Sequence, residues 1–275
     1  MTSPTALRAA HLTVFRFVAA LIVVIFHYGR VATGQNGFLA AGPQMVTFFF
    51  VLSGFVMVLA YGGAGTVPAR GYWRARAVRI LPAYYLALLA AVFIARWQHR
   101  QVGWPPFGLS LGLLQAWWPE YVTRINPPGW SLSVEALFYL LFPALLLYSN
   151  RRKPGDWIGP ALGFWLLSQS LLLMVLLTGE DPRPGGWAGN LVLYNPLAHL
   201  CSFVLGMAAG LKYRTLGTDA LGRPGQALLI LVSLVMVCCV GSESLFHGHD
   251  RTMPIYAASF WAPLFALWIL LMAQV

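Results

Sequence analysis

LTVFRFVAALIVVIFHYG, residues 12–29, decides how this chain is to be read. Its one charged residue is Arg16 and its one imidazole is His27; nearly everything else is apolar. About 20 such residues in a helix, rising 1.5 Å each, cross a bilayer core of about 30 Å. Arg16 and His27 stand eleven positions apart. At 100° per residue that spacing returns to within about 20° of the same face, with about 16 Å between the two along the axis. One rod thus presents a cation near one end and a titratable imidazole three turns further on.

Working outward, six further apolar stretches of spanning length cover residues 45–62, 77–95, 130–149, 158–178, 191–211 and 253–275, and a shorter uncharged one covers 226–241. The composition agrees: 59% of the 275 residues are hydrophobic and 9% charged, whereas soluble domains carry about 25% charged residues to wet their surface. A soluble domain is excluded. The expected fold is all-α, a polytopic integral membrane bundle of eight to nine transmembrane segments, filling residues 1–275 as one domain.

Residues 104–119 differ, because their apolar part is short and Pro105, Pro106 and Pro119 bracket it. Charge bias decides how to treat them, since loop Lys and Arg collect on the cytoplasmic side. If this segment re-enters without crossing, eleven basic residues fall inside and six outside, with Arg16 set apart within a span. If it crosses, the count becomes eight against nine. A re-entrant segment and a cytoplasmic N-terminus are therefore expected, in a multi-pass protein of the cell membrane. The first apolar run is long, contains Arg16 and lacks a small-residue cleavage site, so no cleavable leader is read.

The net charge of +10 would suggest nucleic acid in a soluble protein; here positive-inside loops and anionic lipid account for it, and no nucleic-acid partner is expected. Cys201, Cys238 and Cys239 sit in apolar runs without metal-ligand spacing. His247, His249 and Asp250 crowd one short loop without a fourth ligand, so no metal is assigned. Seven of the eight acids fall between apolar runs; Glu135 alone lies inside one. An ionisable group at the centre of an inserted helix costs roughly 2.5–3.5 kcal/mol and turns toward a partner in the bundle. That singles out Arg16, His27 and Glu135, with a plain Arg–Glu helix lock as the bland alternative. His199, also in an apolar run, is assigned to packing.

Several segments together resemble the membrane acyltransferase 3 family, bacterial O-acyltransferases of exported polysaccharides and other glycans. LTVFRFVAALIVVIFH is similar to that family's opening helix. VTFFFVLSGFVMVLAY resembles its Ser-Gly-Phe segment, with Ser53, Gly54 and Phe55. RARAVRILPAYYLALL resembles its basic loop and helix, with Arg76, Arg79, Pro82 and Tyr84. PPGWSLSVEALFYLLFP is similar to its Trp-Ser-Leu…Glu signature, with Trp130, Ser131 and Glu135, and NPLAHLCSFVLGMAAG to a later helix with Phe203 and Gly206. The family pattern continues beyond residue 275 with a further helix carrying Ser-Tyr…His, so this sequence is expected to lack the family's C-terminal helix.

The resemblance implies transfer of an acyl group, commonly acetyl, from cytoplasmic acyl-CoA to a carbohydrate hydroxyl. The acyl-CoA is a co-substrate, and no cofactor is expected. His27 suits the base, since imidazole titrates near neutrality. Glu135 either holds that imidazole in its productive tautomer or pairs with Arg16. Arg16, Arg76 and Arg79 are candidates for the coenzyme, the last two being one turn apart and equally suited to positive-inside anchoring. Ser53 stands among the substrate-binding candidates, but no Gly-x-Ser-x-Gly elbow surrounds it, so direct transfer is simpler than an acyl-enzyme. With Gly54 it also suits close helix packing. Trp130, with Trp117 and Trp118, is a candidate for stacking on a sugar or for interfacial anchoring. The competing readings are a transporter or flippase of a polar or lipid-linked solute, and an inactive truncated homologue. Oligomeric state is not legible.

Overall fold

A computed structural model of the protein describes residues 4–28, 41–63, 67–151, 153–179, 181–216, 221–241 and 258–275. Among them the regular structure is helical throughout: α1 (Pro4–Tyr28), α2 (Gly42–Tyr61), α3 (Ala69–Trp97), α4 (Trp104–Leu111), α5 (Trp130–Ser149), α6 (Ile158–Thr178), α7 (Trp187–Tyr194), α8 (Pro196–Thr215), α9 (Arg223–Gly241) and α10 (Ala262–Met272). Helices are what a bilayer demands, since every backbone N–H and C=O must be paired within the segment.

Among the described residues, five stretches are long and apolar enough to cross a membrane: Gly42–Tyr61, Ala69–Trp97, Pro127–Ser149, Gly155–Thr178 and Trp187–Thr215. Leu12–Tyr28, Arg223–Cys238 and Ala262–Met272 are shorter apolar helices. Of the eight to nine transmembrane segments expected, the described residues show five of full length and three shorter apolar helices. The run at 253–275 carries an eleven-residue helix, and 253–257 lie outside the described residues, as do His247, His249 and Asp250. In 104–119, α4 has eight residues and rises about 12 Å, too little to cross as a helix. It docks instead on α3 and α5: the hydroxyls of Tyr84 and Tyr85 donate to the carbonyls of Ser110 (2.6 Å) and Leu111 (3.0 Å), and Ser133 Oγ donates to that of Leu113 (2.5 Å).

The core is the pair α2 and α8, which share the largest interface. They run parallel, with Phe50 beside His199 at one end and Phe55 beside Tyr213 toward the other. Small residues make this possible. A Cβ on Gly54 would run into the Phe203 carbonyl oxygen, one on Gly206 into that of Val51, and one on Gly210 into Val58 and the Phe55 carbonyl. Gly206 and Gly210 form a small-xxx-small step of the kind that lets membrane helices touch by their backbones. α5 packs alongside, its Phe138 ring stacked on Phe203 at 4.7 Å. α3 and α6 lie outside and expose Leu86, Leu89, Phe93, Leu166, Leu167 and Met174, apolar side chains that face lipid in a bilayer.

The glycine seam carries a prediction. Gly206→Ala should lower stability by about 2 kcal/mol or more, because backbone cannot yield to the new methyl. Gly163→Ala, where a Cβ meets open space, should stay within about 1 kcal/mol of the parent. Thermal unfolding of the detergent-solubilised proteins by size-exclusion fluorescence measures both.

Candidate active site

The site grows from the pairing of α1 with α2. Phe26 packs over Gly42, where a Cβ would meet its ring, so the helices run antiparallel and Arg16 comes level with the middle of α2. There Ser53 Oγ donates to Glu135 Oε1 on α5 at 3.4 Å. The Tyr139 hydroxyl, one turn along α5, stands next to the same carboxyl, and Arg79 and Arg16 are near enough to attract it. Neither guanidinium is in direct contact: among the described residues, the ion pair within 4.0 Å is Arg183 with Asp181 on the surface. Arg16 and Arg79 are both exposed. Among the described residues α1 and α3 share no substantial contact, and the carboxyl, hydroxyls and guanidiniums lie where α1, α2, α3 and α5 approach one another.

Arg76 is held differently. Its Nη2 donates to the Tyr61 hydroxyl at 3.2 Å, its Nη1 approaches Met57 Sδ at 4.0 Å, and its Cζ lies 5.9–6.0 Å from the ring centres of Tyr61, Tyr72 and Tyr139. Such an aromatic cage compensates a cation away from water. Its Nε is buried without a partner. Arg76 also lines a cavity of about 200 Å³ with Trp73, Leu113, Ala136 and Tyr139. Arg16 and Arg79 near Glu135, with Arg76 one step away beside Tyr139, give more basic than acidic groups here, which favours an anionic ligand.

His27 stands at the other end of the face it shares with Arg16. It is half-buried against the Phe26 ring, at 5.3 Å between centres. Its Nδ1 lies 2.8 Å from the Val23 carbonyl. A carbonyl only accepts, so Nδ1 carries the hydrogen and Nε2 keeps its lone pair. The two partners open to Glu135 in the sequence thereby separate. The carboxyl lies within electrostatic reach of Arg16, which stands about 16 Å along α1 from His27, and the group orienting His27 is a backbone carbonyl of its own helix.

Trp130 sits apart from this cluster. It is 8% exposed and enclosed by Phe50, Tyr194 and His199, with ring centres 5.1–5.9 Å away; in this arrangement it packs the core instead of offering an open face to a sugar. His199 belongs to a break in the run that the sequence presents as continuous over 191–211. α7 ends at Tyr194, and Asn195 caps α8 by accepting from Leu197 N at 3.0 Å. That diverts the donor which would have served Leu193, and His199 Nε2 donates to the Leu193 carbonyl instead, at 2.8 Å. Nδ1 then accepts from Ser259 Oγ at 3.2 Å, which in turn accepts from Ser202 Oγ at 2.7 Å. Both ring nitrogens are engaged in holding the break closed, as its assignment to packing requires.

Sequence reading passed over Tyr61, Tyr72 and Tyr139. The i, i+4 spacings of Tyr72 with Arg76 and of Glu135 with Tyr139 were the available signal, since such pairs share a helix face.

With this geometry in place, comparison with known proteins is decisive at the family level. The model of a family described as an acyltransferase domain, acyltransferase 3, matches residues 10–274. The chain belongs to the acyltransferase 3 family. It is 29% identical over 253 residues to the acyltransferase MdmB of Streptomyces mycarofaciens, covering 82% of this chain and 63% of MdmB. It is 25% identical over 182 residues to the peptidoglycan O-acetyltransferase OatA of Listeria monocytogenes, covering 59% of this chain and 28% of OatA. It is 24% identical over 186 residues to the O-acetyltransferase OatA of Staphylococcus aureus, covering 61% of this chain and 30% of OatA. The chain thus spans under two thirds of the length of each of these relatives. No solved structure matches it.

The helix break offers a direct check. Asn195→Ala should cost about 1 kcal/mol through loss of the cap, and His199→Phe about 1–3 kcal/mol by leaving the Leu193 carbonyl buried and unpaired. Thermal unfolding of the purified variants reads both losses.

Proposed function

We propose that this chain is the membrane domain of an O-acyltransferase that moves an acyl group, commonly acetyl, from cytoplasmic acyl-CoA to a hydroxyl of a cell-surface or exported carbohydrate. The observation that carries the reading is the shared face of α1, with Arg16 in a guanidinium-rich cluster at one level and, about 16 Å away, an imidazole whose Nδ1 is engaged by Val23 and whose Nε2 keeps its lone pair. The names of the OatA relatives support the carbohydrate acceptor.

The basic end of the bundle faces the cytoplasm in this reading. It gathers the start of α1, Arg70 and Arg74 of α3, Arg151 after α5, Lys212 and Arg214 of α8 and Arg223 of α9, as the positive-inside bias favours. Arg16, Arg76 and Arg79 hold the anionic coenzyme there through charge-assisted hydrogen bonds. Glu135 is a positioning residue that attracts Arg16 and Arg79, and Ser53 and Tyr139 hold its carboxyl. The thioester arm extends along α1 toward His27. Nε2 takes the acceptor hydroxyl's proton while the oxygen bonds to the thioester carbonyl carbon. The C–S bond then breaks, and the imidazolium returns the proton to the departing thiolate, giving ester and free coenzyme thiol.

The test is transfer of label from radiolabelled acetyl-CoA to isolated cell-wall glycan by the purified chain in nanodiscs. His27→Ala should lower the rate by about 10²–10⁴-fold, the usual contribution of a positioned proton acceptor, with membrane insertion intact. Arg16→Ala and Glu135→Gln should raise KM for acetyl-CoA. Transfer by His27→Ala at the parent rate would remove the imidazole from the mechanism, and solute movement without acetyl-CoA consumption would favour a transporter.

A further inference from the structure

On the flank of α1 away from Arg16 lies a second cavity, of about 580 Å³, between α1, α2, α9 and α10. That is the size of a small-ligand site. Phe15, Val18 and Ile22 form one wall, Phe48 the floor, and Val237 and Trp268 the facing side. Its one hydroxyl is already engaged: Ser233 Oγ donates to the Leu229 carbonyl at 2.7 Å and accepts from Trp268 Nε1 at 3.0 Å. One lone pair of Ser233 is all that remains for a water, which needs two to four partners, so the space favours hydrocarbon.

Where that hydrocarbon comes from follows from the surroundings. α1 and α9 share no substantial contact, so the slot opens between them, onto the exposed Val14 and Leu21 of α1 and Leu231 and Leu234 of α9. It is therefore continuous with the lipid-facing surface. Toward the basic end, exposed Arg223 opens α9 six residues before Leu229, about 9 Å along the axis. An alkyl chain in the slot would have its headgroup near that guanidinium. Beyond its contact with α2, the described part of α1 buries Leu12, Ala19 and Ile22.

We propose that this slot binds one acyl chain of an anionic phospholipid, with its headgroup at Arg223, and that the chain braces α1. The site is separate from the charged cluster, because the α1–α2 contact lies between the two.

The full chain in nanodiscs containing phosphatidylglycerol with a diazirine in its acyl chain, irradiated and mapped by peptide mass spectrometry, tests this. Adducts should concentrate on residues 15–22, 229–237 and 265–272, above the level on the exposed α6 residues Leu166, Leu167 and Met174. Val18→Trp, at a half-exposed slot position, should fill the space and remove most slot adducts while α6 labelling persists. Arg223→Gln should lower the preference for phosphatidylglycerol over phosphatidylcholine about fivefold, the worth of one basic residue at an anionic surface. Equal labelling of α6 and the slot, slot labelling unchanged by Val18→Trp, or crosslinks between two copies through these segments in place of lipid would each overturn the proposal. No loss of headgroup preference in Arg223→Gln would overturn the assignment of that residue.

Discussion

A carboxylate inside a membrane span constrains everything near it. Glu135 sits among apolar neighbours on α5, and taking a charge to the bilayer centre costs roughly 2.5–3.5 kcal/mol on insertion scales. The hydroxyls of Ser53 and Tyr139 stand at that carboxyl, and the charges of Arg79 and Arg16 lie within electrostatic reach of it. Four helices are oriented by that convergence: α1 by Arg16, α2 by Ser53, α3 by Arg79 and α5 by the carboxylate. The glycine contacts between α2 and α8 anchor the arrangement from behind, because backbones that touch cannot slide or rotate without collision.

That arrangement gives α1 two unlike flanks on either side of its contact with α2. One carries Arg16 and His27; the other carries Phe15, Val18 and Ile22 toward an apolar slot. The imidazole itself depends on no second helix for its tautomer, since the Val23 carbonyl of α1 sets it.

The spans and the charged face of α1 were legible in the sequence because hydrophobic length and helical periodicity are local properties. Their partners were not. In water an apolar stripe points to the core, but in a bilayer it faces protein or lipid equally well, so the exposure of α3 and α6 and the burial of α8 left no distinct mark on their composition. Trp130 shows the same ambiguity: an aromatic residue at a helix start suits an interface, a sugar or a core, and long-range packing against Phe50 and His199 selected the core. The break at Asn195 carried its signal in Pro196, yet the apolar run continues across it, and the groups that repair it, His199 and Ser259, lie 60 residues apart. The tyrosine cage around Arg76 was visible in i, i+4 spacings that become meaningful once α2, α3 and α5 are brought together.

The central claim is that Arg16 and Glu135 share one electrostatic centre across α1 and α5. A double-mutant cycle on stability, with Arg16→Gln, Glu135→Gln and the double variant unfolded in the same bilayer mimetic, tests it most directly. The double variant should lose less than the two single losses combined, with a coupling above about 0.5 kcal/mol. Single losses that add within that margin would contradict it.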